Sequence, residues 1–361
     1  MHILIKNDPM KLKAYNETLA EEEQRRHSPI DRAMPTSMVM NMDNQCNLRC
    51  IMCIRQRAPE GTLNSLSYDF EIFRRVAEEV FPYLRRVQLT TAGEPLMAKN
   101  FRKQLRIIKK YSMKLDLVTN ATLLDNDKLI EEILRVLGYL HVSIDAATKE
   151  TYESIRIGAK FEQVIKNIKK FNSFRRKIPQ DKRPRLALLY VLMRRNIEEL
   201  PQFMKLAKEL EAEAVTMTHV IILQKKMKKE SLVYHKELAN YYMMVAQKKA
   251  NELNLHLNIP PLFNTVYDVQ GRRSKNNLKS EFKICPFLWK QAIINWNGDV
   301  SPCCVTGCPV MGNVKKKPFR EIWNNELYQE MRKKLNTDNP FDCCKHCFIT
   351  HPPDEQSLYH I

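Results

Sequence analysis

The chain has 361 residues, of which 44% are hydrophobic and 28% charged, as in a folded globular protein rather than a disordered one. Its longest apolar run, residues 186–193, is far shorter than a membrane span, and its first residues do not resemble a secretory signal, so we expect a cytoplasmic protein. The formal net charge of +18 favours anionic partners such as nucleic acid, a phosphorylated metabolite, an acidic peptide or a lipid headgroup. No recognised nucleic-acid motif accompanies the dispersed charge, so a solvated basic surface is the plainer explanation.

Secondary structure is predicted in two stretches of the chain. Residues 1–36 are polar and charged and predict a helical N-terminal arm. Residues 37–258 alternate short β-like runs with amphipathic segments. The six predicted strands lie at 38–42, 87–91, 115–119, 140–145, 186–193 and 214–219. Helical apolar spacing recurs at 129–137, 161–171 and 197–210.

This alternation predicts an α/β fold built from βα units around a parallel sheet. Six units suit a partial (β/α)6 TIM-type barrel, and an open flavodoxin-like sheet would give the same pattern. In either fold, ligands gather at the carboxyl ends of the strands. We therefore expect functional residues directly after the predicted strands.

Three cysteines follow the first predicted strand, with the spacing C-x3-C-x2-C: Cys46, Cys50 and Cys53. A cubane [4Fe–4S] cluster is usually held by four thiolates. Three thiolates would leave one iron open to a substrate or cofactor. Zinc is the alternative, although zinc sites more often combine C-x2-C pairs into four ligands.

Polar residues also follow the next three strands. Ala92, Gly93 and Glu94 come after the second strand, and Gly93 suggests a backbone turn that passes close to a ligand. The other candidates are Thr119, Asn120, Ser143 and Asp145. Each of them alone fits an ordinary strand-end turn. Their occurrence in order favours a shared ligand site.

Residues 37 to about 220 resemble the core of the radical S-adenosylmethionine (radical SAM) enzymes. The cysteine triplet resembles that family's cluster loop, in which the open iron chelates the amine and carboxylate of SAM. The segment from Thr91 to Pro95 is similar to the family's Gly-Gly-Glu-Pro motif, with Ala92 replacing the first glycine.

The resemblance implies a cofactor role for each of these positions. Ala92, Gly93 and Glu94 would bind the SAM amine. The residues expected near the ribose and carboxylate are Thr119, Asn120, Ser143 and Asp145. Arg156 would lie near the SAM carboxylate and Asn196 near SAM, although a surface arginine and a helix N-cap explain these two residues equally well.

The family's chemistry is implied in the same way. A reduced cluster would pass an electron to SAM, giving methionine and a 5′-deoxyadenosyl radical that abstracts a hydrogen atom from the substrate. An electron donor such as flavodoxin or ferredoxin would reduce the cluster.

Seven further cysteines lie between residues 285 and 347. After a basic linker at 259–283, residues 284–361 resemble the SPASM/twitch extension, which holds auxiliary [4Fe–4S] clusters. The resemblance implies one auxiliary cluster, held by four cysteines: Cys285, Cys303, Cys344 and Cys347. Cys304, Cys308 and Cys343 are then spare or complete a second, irregular site. A zinc ribbon is the alternative.

Two function classes follow from these patterns. The first is a radical SAM enzyme that acts on an anionic small-molecule or lipid-linked metabolite, with maturation of a ribosomally made peptide as the alternative substrate class. Cys308, next to Gly307, could in such an enzyme return a hydrogen atom to a substrate radical. The second class is a non-catalytic metal-binding protein that binds nucleic acid.

Overall fold

The structure, a computed structural model, describes residues 8–41, 43–57, 69–90, 92–263, 285, 287–304, 307–345 and 347. Some predicted features lie outside these ranges: Met42, Thr91, residues 264–283 of the basic linker, and the chain after residue 347.

The described residues form one sheet of ten strands, in the order β10-β9-β8-β1-β2-β3-β4-β5-β6-β7. Strands β1 to β7 are parallel neighbours in chain order, and β8 pairs parallel with the other side of β1. Strands β9 and β10 continue the sheet in antiparallel fashion. The strands are β1 (Ser37–Met40), β2 (Arg86–Gln88), β3 (Lys114–Thr119), β4 (Leu137–Ser143), β5 (Arg185–Leu192), β6 (Ala214–His219), β7 (His256–Asn258), β8 (Gln291–Ile294), β9 (Asp299–Ser301) and β10 (Gly312–Asn313).

Helices alternate with the parallel strands. They are α1 (Pro9–Arg25), α2 (Phe70–Val80), α3 (Phe101–Lys110), α4 (Asp127–Leu134), α5 (Lys149–Ile155), α6 (Phe161–Arg175), α7 (Leu200–Glu209), α8 (Lys236–Glu252), α9 (Phe319–Trp323), α10 (Glu326–Lys334) and α11 (Asp342–Lys345). Within the described ranges, no helix combines the length and the apolar character needed to cross a membrane.

All six predicted strands are present, with ends that differ by a few residues. β6 has the predicted bounds, whereas β2 already ends at Gln88 and β4 already begins at Leu137. The apolar run that predicted β5 arises because nearly every residue of that strand is buried or half-buried, as in a parallel sheet covered on both faces.

The sheet is curved into an open, partial barrel. His219 at the end of β6 and Ser301 in β9 line the same cavity of about 820 Å³, although six strands separate β6 from β9 in the sheet. In a flat sheet with neighbouring strands about 4.8 Å apart, these residues would be roughly 30 Å from each other. The partial barrel is therefore confirmed, with β7 and β10 at the two edges of the sheet that the described residues form.

The N-terminal helix α1 contacts the C-terminal region of the chain. It begins at Pro9 because the Asp8 side chain accepts hydrogen bonds from the backbone N–H groups of Met10 and Lys11. The half-buried Gln24 side chain donates to the carbonyl oxygen of Cys285 at 2.7 Å. Helix α1 therefore contacts the first of the C-terminal cysteines.

Candidate active site

The cysteine loop after β1 is held by backbone hydrogen bonds to the segment that ends α5. Arg49 N donates to Ile157 O at 2.9 Å, and Ile51 N donates to Ile155 O at 3.0 Å. Cys53 N in turn donates to Cys50 O at 3.1 Å. These bonds fix the loop at the carboxyl edge of the sheet.

Two sulfur atoms of the loop receive hydrogen bonds, one from the residue that ends α5 and one from the residue that follows β3. Arg156 Nη1 lies 3.7 Å from Cys50 Sγ, and Asn120 Nδ2 lies 3.9 Å from Cys46 Sγ. Burial raises the pKa of Cys50 to about 11, with Arg156 opposing that rise and Cys53 and Cys46 adding to it. The Cys50 thiol is therefore protonated at neutral pH until a bound metal displaces the proton.

These thiols fit an iron–sulfur cluster. The three sulfurs are near enough to influence one another electrostatically, and donors reach two of them. In the described ranges, no three His, Cys, Asp or Glu side chains converge tightly enough to hold a single metal ion. A cubane cluster spreads its thiolates over separate iron atoms, so it does not require such convergence.

The turn after β2 lies directly against the cysteine loop. A Cβ atom on Gly93 would be 2.8 Å from both Asp43 O and Gln45 O, which is too close for any side chain. Glu94 N also donates to Gln45 O at 2.7 Å. The close approach expected of Gly93 is therefore to the backbone of the loop, and Ala92 beside it lines the cavity.

Glu94 joins two of the predicted positions. Its buried carboxylate accepts hydrogen bonds from Thr119 Oγ1 at 2.7 Å, Asn120 N at 2.8 Å and Leu96 N at 3.2 Å. Burial raises the pKa of Glu94, and these donors oppose the rise. The carboxylate thus ties the ends of β2 and β3 together beside the cysteine loop.

Asp145 and Arg156 form a buried ion pair, with Oδ2 and Nη2 2.7 Å apart. Burial raises the pKa of Asp145, which Arg156 opposes. Burial also disfavours the Arg156 cation, but Asp145 and then Cys50 outweigh this and raise its pKa. Arg156 is therefore a buried cation that lies between a carboxylate and a cysteine of the loop.

Asn196 holds the backbone of Asp145 in place by a hydrogen bond. Its side chain has no exposed surface, donates to Asp145 O and Val191 O at 2.9 Å each, and accepts from Met193 N at 2.8 Å. Asp145 is equally inaccessible, and its Oδ1 accepts from Val191 N at 2.7 Å. Neither side chain lines the cavity.

Ser143 is half-buried at the end of β4, opposite Leu189 of β5. The structure therefore places it on the same edge of the sheet as the cysteine loop.

Six of the seven C-terminal cysteines lie in two groups. Cys285 and Cys304 both interact electrostatically with Cys347. Burial raises the pKa of Cys285, while backbone N–H groups of Leu288 and Phe287 donate to its sulfur and oppose the rise. These donors and the neighbouring thiols suit a metal cluster at this position.

The second group lies around Cys308, which lines the cavity. Cys303 Sγ is 3.6 Å from Cys308 Sγ, and Cys308 forms a disulfide with Cys343. In this state Cys308 carries no thiol hydrogen that it could donate. Cys304, which was not among the four expected ligands, also lies near Cys285 and Cys347.

The cavity between the sheet edge and the C-terminal region contains functional candidates that sequence analysis missed. Arg55, His219 and Trp296 all line it. They come from three distant segments without a shared motif, so spacing could not have brought them together. Only Arg55 could have been suspected from the sequence, because it lies two residues after Cys53 of the cysteine triplet.

The fold and the position of the cavity place this chain among barrel-type α/β enzymes, whose ligands bind at the carboxyl ends of the strands. Comparison with known families makes the assignment specific. Residues 40–207 match the model of the radical SAM superfamily, and residues 285–348 match the SPASM iron–sulfur cluster-binding domain. Together the two matches span more than half of the chain, which belongs to the radical SAM superfamily and carries a C-terminal SPASM domain.

Curated relatives share about a quarter of their residues with this chain. One is a tungsten-containing aldehyde ferredoxin oxidoreductase cofactor-modifying protein of Pyrococcus furiosus, 24% identical over 82% of each chain. Another is an AdoMet-dependent heme synthase of Methanosarcina barkeri, 25% identical over 82% of this chain and 85% of the relative. The chain is thus a radical SAM enzyme, with a SAM-binding [4Fe–4S] cluster, SAM and auxiliary iron–sulfur as cofactors.

Solved structures support the fold. SuiB of Streptococcus suis bound to its precursor peptide SuiA has a TM-score of 0.63 and 17% identity, over 87% of this chain and 70% of SuiB. AdoMet-bound anSMEcpe has a TM-score of 0.61 and 18% identity, over 87% of this chain and 83% of that one.

Proposed function

We propose that Cys46, Cys50 and Cys53 hold the SAM-binding cluster and that Ala92, Gly93 and Glu94 bind the SAM amine. When bound and reduced by a donor such as flavodoxin or ferredoxin, the cluster supplies the electron that cleaves SAM, so that a hydrogen atom can be taken from the substrate. Glu94 suits an ammonium ion because its Oε2 atom accepts one hydrogen bond from the described protein, at 2.8 Å, and can accept another.

The neighbouring polar residues have two kinds of role in this proposal. Thr119, Asn120 and Ser143 lie at the strand ends, where the ribose and carboxylate of SAM would bind. Asp145 and Asn196 are positioning residues, because their buried side chains reach the site only through the groups they hold. Arg156 is the cation that they orient toward the cluster loop.

The substrate proposed for this site is an anionic small molecule, and the observation that carries this is the charge of the cavity. Arg55 is the only charged residue among the described ones that line it. Its Nε atom is buried without a hydrogen-bond partner in the described structure, while Nη1 lies 3.5 Å from Cys46 O. A carboxylate or phosphate would satisfy this guanidinium.

The size of the cavity agrees with a second ligand beside SAM. Its volume of about 820 Å³ is near the upper end of the roughly 300–1,000 Å³ typical of small-molecule sites. Relatives named for a heme synthase, an iron–coproporphyrin III synthase and a GTP 3′,8-cyclase act in the chemistry of porphyrins and nucleotides. Coproporphyrin carries carboxylates on the side chains of a large flat ring, and GTP carries phosphates on the ribose attached to a flat base.

The other candidate functions have less support. The solved structures of peptide-modifying relatives share only the fold with this chain. Membership of an enzyme superfamily argues against a non-catalytic nucleic-acid-binding protein.

Binding of two fluorescent or labelled probes to the anaerobically reconstituted protein tests the substrate class. The probes are coproporphyrin III and GTP. Their uncharged counterparts are coproporphyrin III tetramethyl ester and guanosine. One of the two charged probes is expected to bind to the wild type. Arg55→Met should weaken its binding on the order of ten- to a hundredfold, since a hydrogen bond to a charged group is worth about 1.5–3 kcal/mol. Arg55→Lys should retain part of the affinity.

Arg194→Met is the matched control, because it removes one positive charge from an exposed ion pair with Glu198 outside the cavity. Equal affinities in Arg55→Met and Arg194→Met would show that the basic surface, and not the cavity, attracts anions. Binding of the uncharged counterparts as tightly as the anions would also contradict the proposed class.

A further inference from the structure

His219 ends strand β6 with its side chain at the wall of the cavity. The residue is 8% exposed and pairs in register with Leu192 of β5. Its ring packs against Phe263, with the two ring centroids 4.5 Å apart. The imidazole is therefore held in place by packing on one side and faces the cavity on the other.

Neither ring nitrogen of His219 has a hydrogen-bond partner in the described structure. Buried polar atoms are nearly always hydrogen-bonded, because leaving one unpaired costs free energy. Asn196 shows the usual pattern, since its buried side chain makes three hydrogen bonds within the protein. Two unpaired nitrogens on one cavity-lining ring point to a partner that the described residues do not supply.

The electrostatic surroundings determine what that partner can be. Burial lowers the pKa of His219 to about 4, so the imidazole is neutral near pH 7. A neutral imidazole has one donor and one acceptor nitrogen. It therefore suits an uncharged polar group, such as a hydroxyl, an amide or a ring nitrogen, better than a second anionic group.

We propose that His219 is a substrate-binding residue that hydrogen-bonds an uncharged polar group of the substrate, while Arg55 holds its anionic group. This inference rests on the proposed function and adds to it. The residues come from different walls of the cavity, Arg55 from the segment after the cysteine loop and His219 from the end of β6. The substrate class is then a carboxylate or phosphate that also carries an uncharged donor or acceptor on its body.

Thermal unfolding of the reconstituted protein tests, in the absence of any ligand, whether the nitrogens of the His219 ring lack partners within the protein. His219→Phe fills the same space and removes two unpaired polar atoms, so the melting temperature should stay constant or rise by about 2–4 °C. Asn196→Leu is the matched control, since it removes a buried polar group with partners and should lower the melting temperature. A fall in His219→Phe as large as that in Asn196→Leu would overturn the inference, because it would reveal structural partners.

Probe binding then tests the contact itself, with coproporphyrin III and GTP again. His219→Phe should weaken binding of the probe that binds through Arg55 by roughly tenfold, and His219→Gln should restore part of the affinity because it keeps a donor and an acceptor. His141→Phe is the control, since His141 is half-buried on β4 against Tyr139 and does not line the cavity.

The outcomes separate this inference from the proposed function. Loss of affinity in both Arg55→Met and His219→Phe, but not in His141→Phe, supports both. Loss in Arg55→Met with no change in His219→Phe overturns the inference and leaves the substrate class standing. No change in either variant contradicts the proposed substrate class itself.

Discussion

Arg156 and Cys50 are in contact inside the protein, with Nη1 3.7 Å from Sγ, and the same guanidinium pairs with Asp145 at 2.7 Å. A positive charge and a hydrogen bond at a cluster thiolate both stabilise the reduced cluster. The ion pair at the end of β4 should therefore influence the reduction potential of the proposed SAM-binding cluster.

Replacing the two members of this ion pair should shift the reduction potential of the SAM-binding cluster in opposite directions. Arg156→Met should lower the midpoint potential of the SAM-binding cluster on the order of tens of millivolts, because a nearby cation is lost. Asp145→Asn should raise it, because a nearby anion is lost. Redox titration followed by electron paramagnetic resonance measures both, with Arg194→Met as the control. Identical potentials in all variants would show that Arg156 has only a structural role.

The carboxylate of Glu94 should determine the affinity for SAM. Glu94→Gln should keep the turn and weaken SAM binding on the order of ten- to a hundredfold, since a charge-assisted hydrogen bond contributes about 1.5–3 kcal/mol. Anaerobic calorimetry measures the affinity. Arg194→Met serves as the control, because it changes one exposed charge outside the cavity. Unchanged SAM affinity in Glu94→Gln would mean that Glu94 only orders the strand ends.

Gly93 should be essential for a correctly placed cysteine loop. In Gly93→Ala, the new Cβ would be 2.8 Å from the carbonyl oxygens of Asp43 and Gln45, so the loop or the turn must shift. We expect a lower iron content at the SAM-binding cluster in this variant. Ala92→Gly should load iron normally, since it adds no atoms. Full iron content in Gly93→Ala would contradict the tight contact.

Iron counts should decide which of two adjacent cysteines binds the auxiliary cluster. The family resemblance implies Cys303, whereas the structure places Cys304 near Cys285 and Cys347. We expect Cys304→Ala to lose about four iron atoms per chain, as for one [4Fe–4S] cluster, and Cys303→Ala to retain them. Loss of iron in Cys303→Ala alone would restore the quartet implied by the resemblance.

The strands of the core could be predicted because each is a local apolar run. β5 and β6 were recognisable in this way, and their bounds differ from the prediction by at most one residue. The pairing of β8 with β1 could not be predicted, because Ser37 and Gln291 are distant in the chain and no local pattern encodes their register.

The candidate site divides in the same manner. Cys46, Cys50 and Glu94 lie in short motifs whose spacing reflects their chemistry. Arg55 and His219 are single residues in ordinary surroundings, and only the curvature of the sheet makes them line one cavity. The burial of Asp145 and Asn196 could not be predicted from the sequence either, because aspartate and asparagine are common at exposed turns.

The central claim, that the cysteine loop holds the cluster that cleaves SAM, is tested most directly by 5′-deoxyadenosine production. The wild-type protein and the triple variant Cys46→Ala/Cys50→Ala/Cys53→Ala are reconstituted without oxygen and incubated with SAM and dithionite. The wild type should form 5′-deoxyadenosine, and the triple variant should form none while keeping its auxiliary iron, because the C-terminal cysteines load separately. Formation of 5′-deoxyadenosine by the triple variant, or none by an iron-replete wild type, would contradict this account.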